Sequence, residues 1–564
     1  LPLLLLLTGA LLNAQSGQLQ MDGFFSDWQE LSFLEKEADP STAVDLIEFS
    51  VANDEDFLYI RAKLDREILF QESSVQLWLD ADNDPDTGVE VEGIGAELYY
   101  HFGQRRGAFL GQEIGHFDIG LTSLPTYSNN EFEIRLRRDA NPLNLRQLIT
   151  SSTIQLILVG NTLNNDALPE SGAFSYTLEE GPFSPYTPTE IAKTDPAFIR
   201  LMNYNILFDR PLEAAYKGQF QRVVQAVNAD VFCFNEFFDS SASQVKDLMD
   251  ETLPLNNGHG WYARQVDGDN VTCSRYPILQ TLRVTELGNI SANLIDLPAS
   301  YETDLLVIVC HFSCCDQETE RQLQVDAVAA FIDEAKKQGG RMDIEENTPI
   351  LITGDFNMVG LQQQRTTLLT GDIQNTQLFD PVGRPDWDNT PISDLAPLHT
   401  HYPIATTWIN PFSSFSPGRL DYILYSDSRL EAQKSFILQT AEMPPEALSA
   451  NNLLSTDTDF SDHLPIVGDF KIVDLITSVE EKNVEASFRV FPNPFTDQLT
   501  IEKINESFSP ATIRIYGLDG KIIAQSQMEV GKKEMNLPDL PAGIYVVKMR
   551  QKGKVEQMLI IKNP

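Results

Sequence analysis

Several residues in the middle of this chain are of the types that hydrolytic chemistry uses, and each stands at the end of an apolar run. Glu236 follows "DVFCFN", His311 ends "TDLLVIVCH", and Asp355 and Asn357 close "TPILITGDFN". Asn203 and Asn205 close "FIRLMNYN", Asp421 opens "DYILYS", and Asp462 and His463 precede "LPIVGDF". Short apolar runs bounded by polar residues read as buried strands. Strands of opposite direction in a mixed sheet bring starts and ends to one rim, where these acids and imidazoles would form a dense cluster. Left bare, the carboxylates would repel one another and rise in pKa; a divalent cation relieves this. With oxygen donors and few cysteines nearby, Mg2+ is the natural ion, or Mn2+. A metal on a phosphoryl oxygen, a carboxylate activating water and a histidine helping the leaving group together point to hydrolysis of a phosphate ester.

Taken singly, each residue has a plain structural reading: His311 as a satisfied core or surface histidine, Asp421 as a strand-start cap, Glu236 as a paired carboxylate at a buried edge. Their placement together weighs against that. "GQFQRVVQAVNA" and "ETERQLQVDAVAAFIDEAKKQ" carry helical spacing and supply layers to cover a sheet.

The series "NYNIL", "FNEF", "SRYPI", "CHF", "GDFN", "RLDYIL" and "SDHLPI", in this order over 196–473, resembles the endonuclease/exonuclease/phosphatase superfamily. That family includes DNase-I-type nucleases, inositol polyphosphate phosphatases and bacterial sphingomyelinases. The resemblance implies a four-layer α/β sandwich with two central mixed sheets. It implies Glu236 as principal metal ligand, Asn205 beside metal and phosphate, and Asp462 on the metal side. It implies that Asp355 aligns or deprotonates water, that Asn357 holds the water and a phosphate oxygen, and that Asp421 orients His463. His311 matches a second histidine that abasic-site exonucleases lack. Arg275 and Arg321 match family positions and read as structural.

The 564 residues are enough for three or four domains. A formal charge of -41 disfavours one broad basic face for nucleic acid, though a bound cation changes the local field. The opening "LPLLLLLTGALLNAQSG" is too short to span a membrane and reads, over 1–16, as the core of a secretory signal with a truncated start. Cys233, Cys273 and Cys310 lie in strand-like stretches; Cys314 or Cys315 is open to a disulfide, and the spacing matches no common zinc site.

Two linkers are expected, over 179–195 and 474–487. The piece before them, 18–178, has alternating strand-like runs and "DADNDPDTG", where Asp80, Asp82, Asp84 and Asp86 suit Ca2+ or form a plain acidic turn. Its "MDGFFSDW" opening and this motif resemble the carbohydrate-binding-module family 9-like and DOMON-like β-sandwiches, which implies a glycan-binding accessory domain. The last piece, 488–564, with "PNP", "GLDGK", "LPAGIYVV" and a terminal "LIIK", resembles the C-terminal sorting domain of type IX secretion substrates. That implies the type IX machinery as partner, passage through periplasm and outer membrane, and a secreted or surface-attached product. The expected architecture is therefore multidomain: an α/β four-layer sandwich flanked by two β-sandwiches, acting as a monomer.

Between "GDFN" and "RLDY" stand Trp387, His399, His401, Tyr402, Trp408, Phe412 and Phe415. Aromatics there can stack on bases or touch lipid, with Trp408 the first candidate. The leading expectation is a nuclease of the DNase type. A phosphomonoesterase or sphingomyelinase-type enzyme of the same fold is the alternative, and a glycan-binding protein with an inactive core is the alternative of another class.

Overall fold

The computed structural model describes residues 19–473, apart from 32, 36–43 and 161–165, and residues 488–563, apart from 504–510, 517–521, 529–530, 539, 542 and 552–553. The expected secretory signal over 1–16 and the linker over 474–487 lie outside the described residues. The chain divides into two compact units, Leu1–Leu475 and Ile476–Pro564.

The first unit opens with two antiparallel sheets. One orders Phe33–Glu35, Leu46–Asn53, Phe57–Ile68, Asn129–Arg137 and Thr122–Leu124; the other is centred on Thr153–Val159, Gln76–Asp80 and Leu98–His101. Alternate residues of both, such as Leu58, Ile60, Ile134, Leu77, Leu79 and Leu156, enter one apolar core. Strand periodicity of two explains why Trp78 and Asp80 face the other way.

Two six-stranded mixed sheets follow. The first orders Tyr262–Arg264, Val271–Ser274, Val231–Asn235, Ile199–Asn205, Ile466–Ile472 and Leu430–Ile437. The second orders Ile278–Arg283, Asn289–Ile295, Leu305–His311, Ile350–Asp355, Asp421–Tyr425 and Ser393–Asp394. Each has a parallel pair at its centre, Ile199–Asn205 with Val231–Asn235 and Leu305–His311 with Ile350–Asp355. These strands are apolar on both faces, as parallel strands covered on both sides must be. Leu201, Cys233, Ile466, Val307, Val309, Leu351 and Ile423, from both sheets, share one core. The opposite residues of the first sheet, Met202, Phe232 and Phe234, pack on the helices Lys217–Val227 and Ala242–Thr252. Those of the second, Ile308, Cys310 and Ile352, pack on the helix Glu318–Ala335. Each side chain of this size stabilises by about 1.5–3 kcal/mol when fully buried, so both faces of each sheet are committed to the fold.

Arg200 and Asp469 form a bidentate pair within this core, at 2.5 and 2.7 Å. All five cysteines are free thiols; Cys233, Cys273 and Cys310 are buried, and Cys314 and Cys315 are exposed without forming the disulfide left open by the sequence.

The segment 179–195 has no helix or strand and runs along this unit. Thr189 N–H donates to the Thr400 carbonyl at 2.9 Å, the Tyr186 hydroxyl to that of His399 at 3.1 Å, and Ile191 is buried. The N-terminal sheets also grip the loops around the site. Met21 exchanges backbone bonds of 2.8 Å with Pro403 and Ala405, Ser128 N–H donates to the Gly360 carbonyl, and Gln71 takes the Ser416 N–H at 2.9 Å. The Arg105 guanidinium lies 4.1 Å over the Phe415 ring.

The second unit is built on two antiparallel sheets. A sheet of Phe488–Phe491, Gln498–Lys503 and Lys532–Asn536 and another of Ile522–Met528, Ala511–Tyr516, Gly543–Gln551 and Lys554–Lys562 share one core built on Phe488, Leu499, Ile513 and Val547. Among the described residues, no helix is long and apolar enough to cross a membrane.

Candidate active site

Strand register assembles the site. In the second sheet His311 pairs Asp355 in parallel, and Asp355 pairs Asp421 in antiparallel, so the three stand in one row. In the first sheet Asn205 pairs Asn235, and Glu236 follows directly. Asn235 ties the rows together: its Nδ2 donates to the Cys310 carbonyl and its Oδ1 accepts from Asp355 N–H, both at 3.2 Å.

The centre of the cluster is Asp355 Oδ2. Asn205 Nδ2 reaches it at 3.2 Å, His463 Nε2 at 3.5 Å and His311 Nε2 at 3.6 Å. Each imidazole is held from behind by another carboxylate. His463 Nδ1 bonds Asp421 Oδ2 at 2.8 Å, and His311 Nδ1 bonds Asp269 Oδ2 at 2.7 Å. Two carboxylate–imidazole pairs thus converge on one oxygen. Burial alone would push both rings down; Asp421 and Asp355 outweigh it for His463, which is pushed up to about 10. Asp269 and Asp355 do the same for His311, which rises to about 9. Both rings are therefore charged at neutral pH. Burial, with Asp421 adding to it, raises Asp355, and the two imidazoles hold it back.

Glu236 sits at φ 72°, left-handed for a residue with a side chain. Its Oε1 takes Asn205 Nδ2 at 2.9 Å, its Oε2 takes Phe208 N–H at 3.1 Å, and its own N–H donates to Asp269 Oδ1 at 2.6 Å. Leu207, Phe208 and Asp209 are also left-handed, at 53°, 53° and 56°. The donor set fits a hard divalent cation. Asp355, Asp421 and His463 each place a ligating atom within 4.8 Å of the others, a group that would hold a cation in place of the His463 proton, and the buried Asn203 Oδ1 beside them has no hydrogen-bond partner. Glu236 and Asp355 add carboxylate oxygens, the ligand type of Mg2+, while Asn205 turns its amide nitrogen to both and its Oδ1 takes Leu207 N–H at 3.1 Å.

The remaining expected residues divide. Asn357 N–H donates to Asp355 Oδ1 at 3.0 Å, and its amide nitrogen to the Phe312 carbonyl at 3.0 Å. Asp462 bonds neither Glu236 nor Asn205: its Oδ2 takes Trp408 Nε1 at 3.0 Å and Asn410 Nδ2 at 3.3 Å. The half-buried Trp408 therefore positions Asp462. Arg321 is fully buried, with bonds to the carbonyls of Ser313 and Cys315, and Arg275 bonds the Ala229 carbonyl. In the N-terminal sheets Asp80 and Asp82 come together with Glu97; Asp84 and Asp86 are exposed and stand outside that group.

Sequence reasoning missed three residues. Asp269, in the turn "DGDN", orients His311. Phe208 and Phe238 are 65% and 40% exposed, their rings 5.7 Å apart, with Phe238 6.4 Å from the His311 ring. The doublets "LF" and "FF" beside Asn205 and Glu236 were the available signal.

Residues 202–463 match the model of the endonuclease/exonuclease/phosphatase family, and residues 489–563 that of the secretion system C-terminal sorting domain. Among curated proteins none matches. Similar solved structures include an endonuclease/exonuclease/phosphatase from Beutenbergia cavernae DSM 12333, 12% identical over 65% of this chain and 100% of that one, with a TM-score of 0.33. TDP2 from D. rerio, solved with a single-strand DNA product, is 14% identical over 49% and 99%, with a TM-score of 0.33. Sphingomyelinase C from Streptomyces griseocarneus is 15% identical over 48% and 99%, with a TM-score of 0.28. Likeness at this level says nothing of substrate. The sorting domain marks the chain for export, to be secreted or attached to the cell surface. Residues 202–463 thus form a domain that matches the endonuclease/exonuclease/phosphatase family, a match that suggests a phosphoester hydrolase, within an exported chain.

Proposed function

We propose that the chain is an exported, divalent-metal-dependent phosphodiesterase whose substrate is nucleic acid, and that its hydrolase core is a four-layer α/β sandwich flanked by β-sandwiches. The observation that carries this is the convergence of His463, His311 and Asn205 on Asp355 Oδ2 at 3.2–3.6 Å. Two imidazolium N–H groups and an amide aimed at one anionic position are suited to the oxygens of a phosphoryl group. Glu236 and Asn205, with Asp462 at the edge, would hold Mg2+ or Mn2+, which when bound neutralises charge on a phosphoryl oxygen. Asp355, raised by burial, accepts the proton of the attacking water, and Asn357 fixes the Asp355 carboxylate. His463, oriented and kept charged by Asp421, donates its Nε2 proton to the leaving oxygen. His311, held by Asp269, hydrogen-bonds a non-bridging oxygen.

The exposed Phe208 and Phe238 form an apolar wall beside His311 and suit a base stacked on that side of the phosphate. A second reading, a lipid phosphodiesterase, draws on Phe412, which is 99% exposed in the segment after Trp408. Glycan binding by the N-terminal sheets around an inactive core is the reading that an absence of turnover would favour. The test is hydrolysis of plasmid DNA, RNA, bis-p-nitrophenyl phosphate, p-nitrophenyl phosphate and sphingomyelin vesicles, in Mg2+ or EDTA, with His463→Ala and Glu236→Ala alongside. Nucleic acid cleavage lost in both variants and in EDTA is expected. Turnover confined to sphingomyelin or monoesters overturns the substrate, and turnover indifferent to both variants overturns the site.

A further inference from the structure

The strand Gln76–Asp80 turns its core residues Leu77 and Leu79 inward and Asp80 to the opposite face. There Asp80, Asp82 and Glu97 each place an oxygen within 4.8 Å of the others. Asp80 and Glu97 are both 2% exposed, and Asp80 Oδ1 is closed to solvent and takes no hydrogen bond. A buried acceptor without a partner is expensive to keep. Glu97 is already oriented: its Oε2 takes Ala81 N–H at 2.9 Å and its Oε1 the Thr87 hydroxyl at 2.6 Å. Arg146 is the cation that reaches the group, at 3.1 Å from Asp82 Oδ2 and 3.6 Å from Glu97 Oε1. Three carboxylates against one guanidinium leave two formal negative charges. Burial raises the carboxyls of both Asp80 and Glu97. The loop after Asp80 is pressed tightly onto the Glu97 segment: a Cβ on Gly95 would lie 2.1 Å from the Thr87 carbonyl oxygen and 2.5 Å from that of Asp84.

We propose that Asp80, Asp82 and Glu97 bind one Ca2+ that fastens this loop to the sheet. The donors are hard oxygens on a loop and a strand end, a flexible set that Ca2+ accepts more readily than Mg2+. The ligand set differs from the run of four aspartates in the sequence, because Asp84 and Asp86 are exposed outside the group and Glu97 takes their place. This site is independent of the hydrolytic reading.

The test is calorimetric titration of the full chain with Ca2+ in excess Mg2+, which occupies the hydrolytic site, together with thermal unfolding. One Ca2+ per chain is expected. At about 100 times its Kd it raises the unfolding midpoint of the first unit by about 2–4 °C. Asp80→Asn and Glu97→Gln each weaken uptake at least about 10-fold, whereas Asp84→Asn and Glu236→Gln leave it unchanged. In EDTA, Asp80→Asn melts no lower than the wild type, since it removes repulsion without a cavity. Asp82→Asn, at a more open position, carries the same expectation should a buried variant fail to fold. No uptake would mean that Arg146 is the only counter-ion. Uptake that survives Asp80→Asn and Glu97→Gln, or that vanishes with Glu236→Gln, equally overturns the site.

Discussion

Asp421→Asn separates a charged His463 from one that merely fills space. Asp421 is fully buried and 2.8 Å from His463 Nδ1. A pair at about 4 Å is worth about 4 kcal/mol at an effective dielectric of 20. Removing the charge while keeping the shape therefore takes away most of what lifts the ring to about 10. Asp355 still faces Nε2, but burial pulls the other way, and the ring returns toward the ordinary histidine value of about 6.5. At pH 8 in saturating Mg2+, kcat should fall by about 10²–10⁴-fold, the scale of losing both a proton donor and its orienting partner. Two features distinguish this from a structural defect. Activity of the variant should climb about tenfold per pH unit as pH drops from 8 toward 6.5, while the wild type stays flat. The loss should be larger for an alkyl leaving group than for p-nitrophenolate, which needs no proton. A variant equally impaired on both leaving groups, with an unchanged pH profile, would refute His463 as the acid.

The second dyad is expected to matter less: Asp269→Asn should lower kcat about 10–100-fold with the same damage to both leaving groups, because His311 contacts a non-bridging oxygen; kcat measured on the two diesters checks it. Phe208→Ala with Phe238→Ala should raise KM on single-stranded DNA about 10-fold or more, at the scale of about 1–3 kcal/mol per stacked base, and leave bis-p-nitrophenyl phosphate nearly untouched; equal effects on both would remove the aromatic wall from substrate binding. In EDTA, folding raises the pKa of His463 to about 10 and of His311 to about 9, so the native state holds more protons than the unfolded one above pH 6.5. Their stabilisation is complete below about pH 6.5 and lost as pH climbs toward those values, at about 1.4 kcal/mol per pH unit for each ring. Thermal unfolding from pH 6.5 to 9 should show a falling midpoint that His463→Gln flattens, and a midpoint independent of pH would contradict the charged assignment.

How much of this was legible depends on whether a residue's neighbours lie along its own strand or across the sheet. Glu236, His311, Asp355 and Asp421 were readable because an apolar run must stop where the chain leaves the core, and the stopping residue is the one at the rim. Cross-strand register was not readable. Asp269 looks like any aspartate in a Gly- and Asp-rich turn; only the bond of Asn289 Nδ2 to its Oδ2, at 2.7 Å, and the pairing of Asn289 with His311 bring it behind the imidazole. Glu97 is a similar case, since the Val89–Val91 and Ile94–Ala96 hairpin returns it to Asp80 and Asp82. Trp408 is a related case: an aromatic near a site reads as a substrate contact, and nothing local reveals that its indole N–H also bonds Asp462. The disulfide that the sequence left open at Cys314 or Cys315 does not form, and the two thiols stay in the exposed turn after Phe312.

The placement of Glu236 shows what the rest of the fold is arranged to support. Left-handed backbone at a residue with a side chain is unfavourable by about 1–2 kcal/mol, and here Glu236, Leu207, Phe208 and Asp209 all adopt it. Each has a bond that holds it there: Leu207 N–H to Asn205 Oδ1 at 3.1 Å, Phe208 N–H to the Glu236 carboxylate, Asp209 N–H to the Glu236 carbonyl at 3.0 Å, and Glu236 N–H to Asp269. The two turns lock each other, and the locked form points the Glu236 carboxylate at Asn205 while leaving Phe208 in solvent. A relaxed backbone would release Glu236 from Asn205 and let Phe208 fold back onto the apolar surface. The same logic extends to the opposite side of the site, where the N-terminal sheets hold 403–405 and 414–416 and so fix the segment that carries Trp408, Asp421 and, through Trp408, Asp462. The first unit is therefore one mechanical object: the acid–imidazole cluster is built by two sheets, but one wall of it is braced by strands that contribute no residue to it.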